Sequence, residues 1–543
     1  MVIFTGHCPD ILRAWPKKER SMKKTINKPL SVIICILCFV AVLPSSGDTD
    51  FKEGIVYYDN TPFFPLGVWN PRGDYEGVAK TGMNCFLVSA TDGDMQTMLD
   101  AAQKYGLKLM CMLKRRDPNW KANIEDLVPK YRSHPALLAW NLGDDMSRQD
   151  LPFVIKMSKL IKTLDKSHPV VGDATHTSDT PASFFKNFNP YLDVMMQYHH
   201  PIGLGGAPHW GSFDAHRSYI HHSLKTCGPT LWTFPQGFTW KSTRRKLGLH
   251  PPVDFQSPYP EPGQLRLLTY IQVSEGIRGL VFFDWARIRQ NPASLCEVVA
   301  VVGELLPCSN ILATGKRTSG LKANNKEIRA TIWENDGRYV VMVYREKPFY
   351  HRYLDGEVGR QIRVKLPMKF TGGLKLVKLG IEPAKCKLTR IKNGTVLNIS
   401  QMDISNIFLL TPSLSEARVG EEAHKKLLER LMEYIPAAAK YQLNKVEQNY
   451  IKCAIRLPEV EEELDKAKAM LNKLNCAADR GNMSGTAGCL AELYRHCRRA
   501  VHHVMLHSEN VSPVPKVAEP YRGLYYGMPK FFEAVRNQIK GSD

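Results

Sequence analysis

The stretch HPALLAWNLGDDM, His134–Met146, sets two aspartates, Asp144 and Asp145, directly after an apolar run. Adjacent carboxylates repel, and each negative charge raises the pKa of its neighbour. One of the pair can then keep a proton near neutral pH and serve as a general acid. A helix N-cap would also account for one such aspartate. Two further acids lie in or just after apolar runs, Asp173 after PVVG and Asp284 within GLVFFDW. Either is a candidate for a second carboxylate in a reaction that needs two.

Polar and aromatic side chains recur at the ends of other apolar runs. Trp69 closes FFPLGVW, Asn141 closes ALLAWN, and Tyr198 and His199 follow LDVMMQ. Gln236 and Trp240 follow PTLWTF, and Trp285 closes GLVFFDW. Aromatic rings near one rim suit ligands with apolar faces, and the amide, phenol and imidazole groups suit hydroxyl contacts. Adjacent His199 and His200 would point apart on an extended strand, so no metal site is expected. The cysteines form no CxxC pair, which indicates neither zinc nor a thioredoxin-like redox motif, and no cofactor is expected. Cys476, Cys489 and Cys497 are disulfide candidates that sequence cannot pair.

These residues need a scaffold that brings run ends together. Eight short apolar runs, 63–69, 84–90, 107–113, 136–141, 169–173, 192–198, 229–234 and 279–285, alternate with amphipathic stretches. Continuous apolar strands separated by helices predict a parallel sheet covered on its outer face. Eight such units over 52–312 predict a (β/α)₈ TIM barrel, with a doubly wound sheet as the alternative. In the barrel every acid, amide and ring named above would lie at or near the C-terminal face, where the fold carries its active sites. Basic residues would gather there too: Lys114, Arg115 and Arg116, then Lys241, Arg244, Arg245 and Lys246, then Arg287 and Arg289.

Residues 320–412 change to short strands separated by turn residues, predicting a β-sandwich. Residues 415–543 carry 3-4 spaced apolar stripes, predicting a C-terminal α-helical bundle. Its face with Arg495, Arg498, Arg499, His502 and His503 is expected to be solvated or to meet an anionic surface. At the other end, Met22 opens MKKTINKPLSVIICILCFVAVLPSSGD. A basic start, a short apolar run and small residues predict a signal peptide over 22–47, with residues 1–21 as an extension before the true start. Export, with no stable membrane span after cleavage, is the expectation, and a signal-anchor the alternative. The net charge of +20 favours anionic partners, and export argues against nucleic acid.

FFPLGVW, the Gly82-Met83-Asn84 segment before run two, HPALLAWNLGDD and GIRGLVFFDW together resemble the (β/α)₈ glycoside hydrolase clan of β-galactosidases, mannanases and cellulases. The nearest echo is a group of secreted barrels whose fourth strand ends in Trp-x-x-x-Asp-Glu. The resemblance implies a general acid on Asp145, with Asp144 before it. It implies a nucleophile position at Gln236, where an amide replaces the clan's glutamate. It also implies an aromatic floor at Trp285 and a substrate-facing aromatic near Tyr198. The implied partner is a carbohydrate, with Arg116 and the basic rim directing the expectation toward sulfated or uronate-containing glycans. Three readings stand open: a glycosidase whose second carboxylate is Asp173 or Asp284, a barrel that binds glycan without cleaving it, and a surface structural component.

Overall fold

A computed structural model describes residues 49–174, 182–202, 213–227, 230–239, 260–346, 356, 358–368, 373–392, 394–451 and 456–510. The expectations for the leader, for Trp240 and for Lys241–Lys246 lie outside the described residues. Those that are described belong to one compact unit.

Eight parallel strands close on themselves: Leu66–Trp69, Cys85–Ser89, Lys108–Met112, Leu137–Asn141, Val170–Ala174, Val194–Gln197, Leu231–Thr233 and Leu280–Phe282. Their order follows the chain, and the eighth pairs with the first through Leu280–Leu66, Val281–Gly67 and Phe282–Val68. This is the TIM barrel expected from the eight apolar runs. The runs are continuous because one face fills the barrel and the other carries helices. Leu87, Met110, Ala139, Val171, Met196, Trp232 and Val281 build the interior. Trp232 fits there because Gly279 has no side chain; a Cβ would stand 2.7 Å from the indole.

A small antiparallel sheet, Thr49–Lys52, Ile55–Tyr58 and Thr61–Phe63, precedes the barrel and closes its N-terminal end. Val56 joins the interior core. Thr49 Oγ1 donates to Leu137 O at 2.8 Å, and Thr230 Oγ1 to Gly54 O at 2.9 Å. Strands of three or four residues give no readable period, so this plug was not expected. With one end sealed, the C-terminal mouth is left as the open face.

The sandwich follows as a five-stranded sheet packed on a three-stranded one. Their facing sides share a core that includes Ile332, Val341, Val364, Leu397 and Phe408. The helices Leu414–Leu431, Ile435–Ile451, Pro458–Asp479 and Met483–Asn510 form the bundle. Its core takes in Ala293, Cys296, Val299 and Ala300 from the helix Pro292–Leu305, which follows the last barrel strand. Val298, Val301, Val302 and Leu305 of the same helix belong to the barrel core. The helix is mostly apolar because it is wrapped from both sides, and its two acids, Glu297 and Glu304, are buried against Arg266. Among the described residues, the run Pro292–Thr314 is apolar and long enough to cross a membrane, and most of it is buried inside the fold.

A buried polar knot ties the parts. Arg266 grips both oxygens of Glu304 at 2.8 and 2.7 Å and pairs with Glu297. Tyr270 donates to Glu304 at 2.7 Å, and Ile381 N of the sandwich does so at 2.8 Å. The bundle face expected to be solvated is docked at Arg498, which is buried and paired with Asp403 of the sandwich, while Arg495, Arg499, His502 and His503 are half-buried. The disulfide expectation is corrected as well. Cys476, Cys489 and Cys497 are all free, with Cys476 exposed and Cys497 buried.

Candidate active site

The fourth strand ends at Asn141, whose side chain is buried and accepts from Gly143 N at 2.6 Å. Gly143 has φ +113°, and a Cβ on it would collide with the Arg115 guanidinium. The backbone conformation is the ground for glycine here, since the arginine tip could swing aside. The turn then delivers Asp145 in the left-handed region, φ +51°, which aspartate tolerates better than most residues. Neighbouring strands strap the loop down. Asp145 N donates to Asp173 Oδ1 at 2.8 Å, Met146 N to Asp173 O at 2.9 Å, and Arg115 Nη2 to Asp145 O at 3.1 Å.

Asp150 anchors the far side of this loop and was not singled out from sequence. Its buried carboxylate accepts from Ser147 N and Ser147 Oγ, both at 2.8 Å, and from the Arg116 fork at 2.9 and 3.1 Å. Arg115 lies 3.0 Å away. These partners outweigh burial and hold the carboxyl well below the usual range. The Ser147-x-x-Asp150 spacing is a readable capping signal; its pairing with Arg115 and Arg116 depends on the barrel.

Asp145 and Asp173 differ in surroundings. Asp145 is reached by solvent from the mouth but crowded by protein on its other sides. Lost hydration, then the Asp144 charge, push its pKa up to about 6, against a smaller opposing pull from Arg115. The Tyr198 hydroxyl donates to Asp145 Oδ1. Asp173 is fully buried beneath the pair, and burial, the Asp144 charge and a hydrogen bond to Asp144 raise its pKa well above the usual value. The same burial and neighbouring charge disfavour the ionised form of Asp173. It positions the loop and does not reach the mouth.

The floor is aromatic. Trp69 lies against Phe234 (5.6 Å between centroids) and Phe283 (5.5 Å). Tyr198 stacks on His200 at 4.9 Å, and Phe238 meets Phe283 edge-on at 5.4 Å. Burial, then the neighbouring His199, lower the His200 pKa to about 3, so it is a neutral ring. Phe234 and Phe283 belong to apolar runs that predicted strands and were not expected at the mouth, although they flank residues that were.

Trp69 and Tyr198 are partly exposed at the mouth, beside Asp145 in the case of Tyr198. His199 turns outward: it sits 3.1 Å from His216 Nδ1 and stacks on Tyr219 of the helix Phe213–Thr226. Gln236 is buried, with Oε1 accepting from Ile202 N at 3.0 Å and Nε2 donating to Ile202 O at 2.8 Å and Phe238 O at 3.2 Å. Its amide staples two loops. Trp285 is buried, with Nε1 donating to Asp74 at 3.0 Å, so the aromatic floor is made by other rings. Asp284 caps the helix Trp285–Gln290 through Arg287 N at 3.1 Å and pairs with the Arg287 guanidinium. Arg116 is committed to Asp150, and Asn141 to its own turn.

No family model and no curated protein matches the chain. The solved structures that it resembles are glycoside hydrolases of family 5 and related barrel enzymes. One described as a glycoside hydrolase is 16% identical, with 68% of this chain and 97% of that one covered at a TM-score of 0.47. A family 5 glycoside hydrolase from Bacteroides vulgatus is 12% identical over 67% and 94%, TM-score 0.46. An α-amylase from Geobacillus thermoleovorans is 10% identical over 63% and 91%, TM-score 0.41.

Proposed function

We propose that the barrel mouth cleaves a glycosidic bond in an extracellular carbohydrate, with Asp145 as general acid. The observation that carries this reading is a solvent-reached carboxyl with a pKa of about 6, at the C-terminal end of strand four and held by Tyr198. Protonated Asp145 gives its proton to the bridging oxygen as the C–O bond breaks, and that oxygen keeps the bonding electron pair. Water adds its oxygen to the anomeric carbon. The proton it releases is taken up by the carboxylates of the Asp144–Asp145 pair, which restores the acid. The partly exposed rings of Trp69 and Tyr198 offer stacking surfaces for sugar C–H faces.

A second reading, glycan binding without cleavage, is favoured by one observation. Gln236 and Asp284, which lie where an opposing carboxylate was sought, are both engaged within the protein. One experiment separates the readings: wild type and Asp145→Asn are screened against a polysaccharide panel for reducing ends and for binding. Hydrolysis predicts a loss of roughly 10²–10⁴-fold in turnover with binding nearly intact. Equal binding by both proteins, with no product from either, leaves only the binding reading.

A further inference from the structure

The three-stranded sheet of the sandwich has an outer face that nothing covers among the described residues. Gly359–Leu366, Gly394–Met402 and Cys386–Ile391 pair antiparallel and turn Ile362, Val364, Leu397 and Ile399 inward. Their register lays Arg363, Asn398 and Lys387 side by side in one row across the sheet. Residues 322–324 extend the face at its edge, where Lys365 N donates to Lys322 O at 2.8 Å and Asn324 N to Arg363 O at 3.0 Å. A groove of about 570 Å³ crosses it from Asn324 and Gln361 to Lys385 and Lys387.

Five exposed cations, Lys322, Arg363, Lys365, Lys385 and Lys387, stand on or beside this face. None of them forms an ion pair among the described residues. Like charges on neighbouring strands repel, so the arrangement is unfavourable to the sheet by itself. An anionic partner reverses the sign. Arg363 and Lys387 sit two strand spacings apart, about 9.6 Å at the backbone. Five cations spread over such distances suit a series of anionic groups along a polymer better than one small ion. Amide and hydroxyl groups lie between them, at Asn324, Gln361, Asn398 and Ser400. Among the described residues no aromatic ring lines the groove, whereas surfaces for single-stranded nucleic acid interleave cations with stacking rings.

We propose that this face is a second, non-catalytic binding site for an acidic polysaccharide bearing carboxylates or sulfates. The guanidinium fork of Arg363 and the flanking ammonium groups meet the anions, and the exposed Gln361 amide meets sugar hydroxyls, while Asn324 and Asn398 brace the strands. The choice of polysaccharide rests on the proposed glycan-directed function, but the site itself does not depend on the barrel being active.

The test measures binding of the full-length protein to polygalacturonate and to dextran sulfate, with neutral dextran as control, at low and at physiological salt. It is run in wild type, in Arg363→Gln/Lys385→Gln/Lys387→Gln, and in both again with Asp145→Asn, so that a barrel without activity leaves the readout intact. The triple variant should bind the acidic polymers about fivefold or more weakly, with a shallower salt dependence. Its exposed positions should leave circular dichroism and turnover of a short neutral oligosaccharide unchanged. Unchanged affinity in the triple variant overturns the site. Binding to phosphatidylglycerol vesicles as tight as to the polymers, and lost in the same variant, overturns the polysaccharide in favour of a membrane surface.

Discussion

At the barrel rim, each of four arginines has an acid: Arg115 and Arg116 share Asp150, Arg287 has Asp284, and Arg289 has Asp74 at 2.9 Å. On the sandwich face, five cations have none among the described residues. The two regions look alike as runs of basic residues and are opposites as surfaces. These four rim charges are neutralised internally and serve as struts that hold loops, whereas Lys114 beside them is exposed. The sandwich charges do no such work and stay available. An anionic preference argued from the described rim thus loses much of its footing, and the same preference gains a location about which the barrel loops say nothing.

The largest way to break this contrast is Asp150→Ala. It leaves Arg115 half-sealed without its counter-ion and frees the loop that carries Asp145, so unfolding stability should fall by about 3 kcal/mol. Single glutamine substitutions at Arg363 or Lys387 should stay within about 0.5 kcal/mol. Chemical unfolding of the three variants measures the difference, and equal losses would erase it. The sign with pH follows from the depressed Asp150 carboxyl. Its stabilisation is complete above the unfolded carboxylate pKa of about 4 and is lost as pH falls below that value.

A smaller effect sharpens the role of the acid pair. In the proposed mechanism Asp145 must be protonated, so activity declines as pH rises through about 6. Asp144→Asn removes a neighbouring negative charge, makes Asp145 easier to ionise, and should move that alkaline limb to lower pH. A profile of kcat/KM against pH checks the direction; an upward move would contradict the arrangement. The smallest effect is expected at Arg289→Gln. Its partner Asp74 retains the Trp285 hydrogen bond, and the arginine is largely exposed, so thermal unfolding should register less than about 1 kcal/mol.

What sequence could reveal follows from how local each signal was. All eight barrel strands were readable because burial on both faces leaves uninterrupted apolar runs, and the place of Asp145 just past a strand end was readable for the same reason. The occupation of a side chain was not. Gln236 is held by Ile202, 34 residues earlier, and Trp285 by Asp74, 211 residues earlier; such partners meet only once the ring closes. His199 and His200 show the same limit at single-residue scale. Alternation predicts that they diverge, but which of them enters the mouth depends on the strand's register in the barrel.

The helix Pro292–Leu305 bears on how such a chain can be recombined. It packs the barrel along one side and supplies four residues to the bundle core along the other. A barrel inherited or transplanted alone would present Ala293, Cys296, Val299 and Ala300 to water as a bare apolar stripe prone to aggregation. A bundle moved alone would lack part of its core. The barrel and the helical region are therefore expected to behave as one heritable unit, and a shuffling event that separates them needs compensating polar substitutions along that single helix.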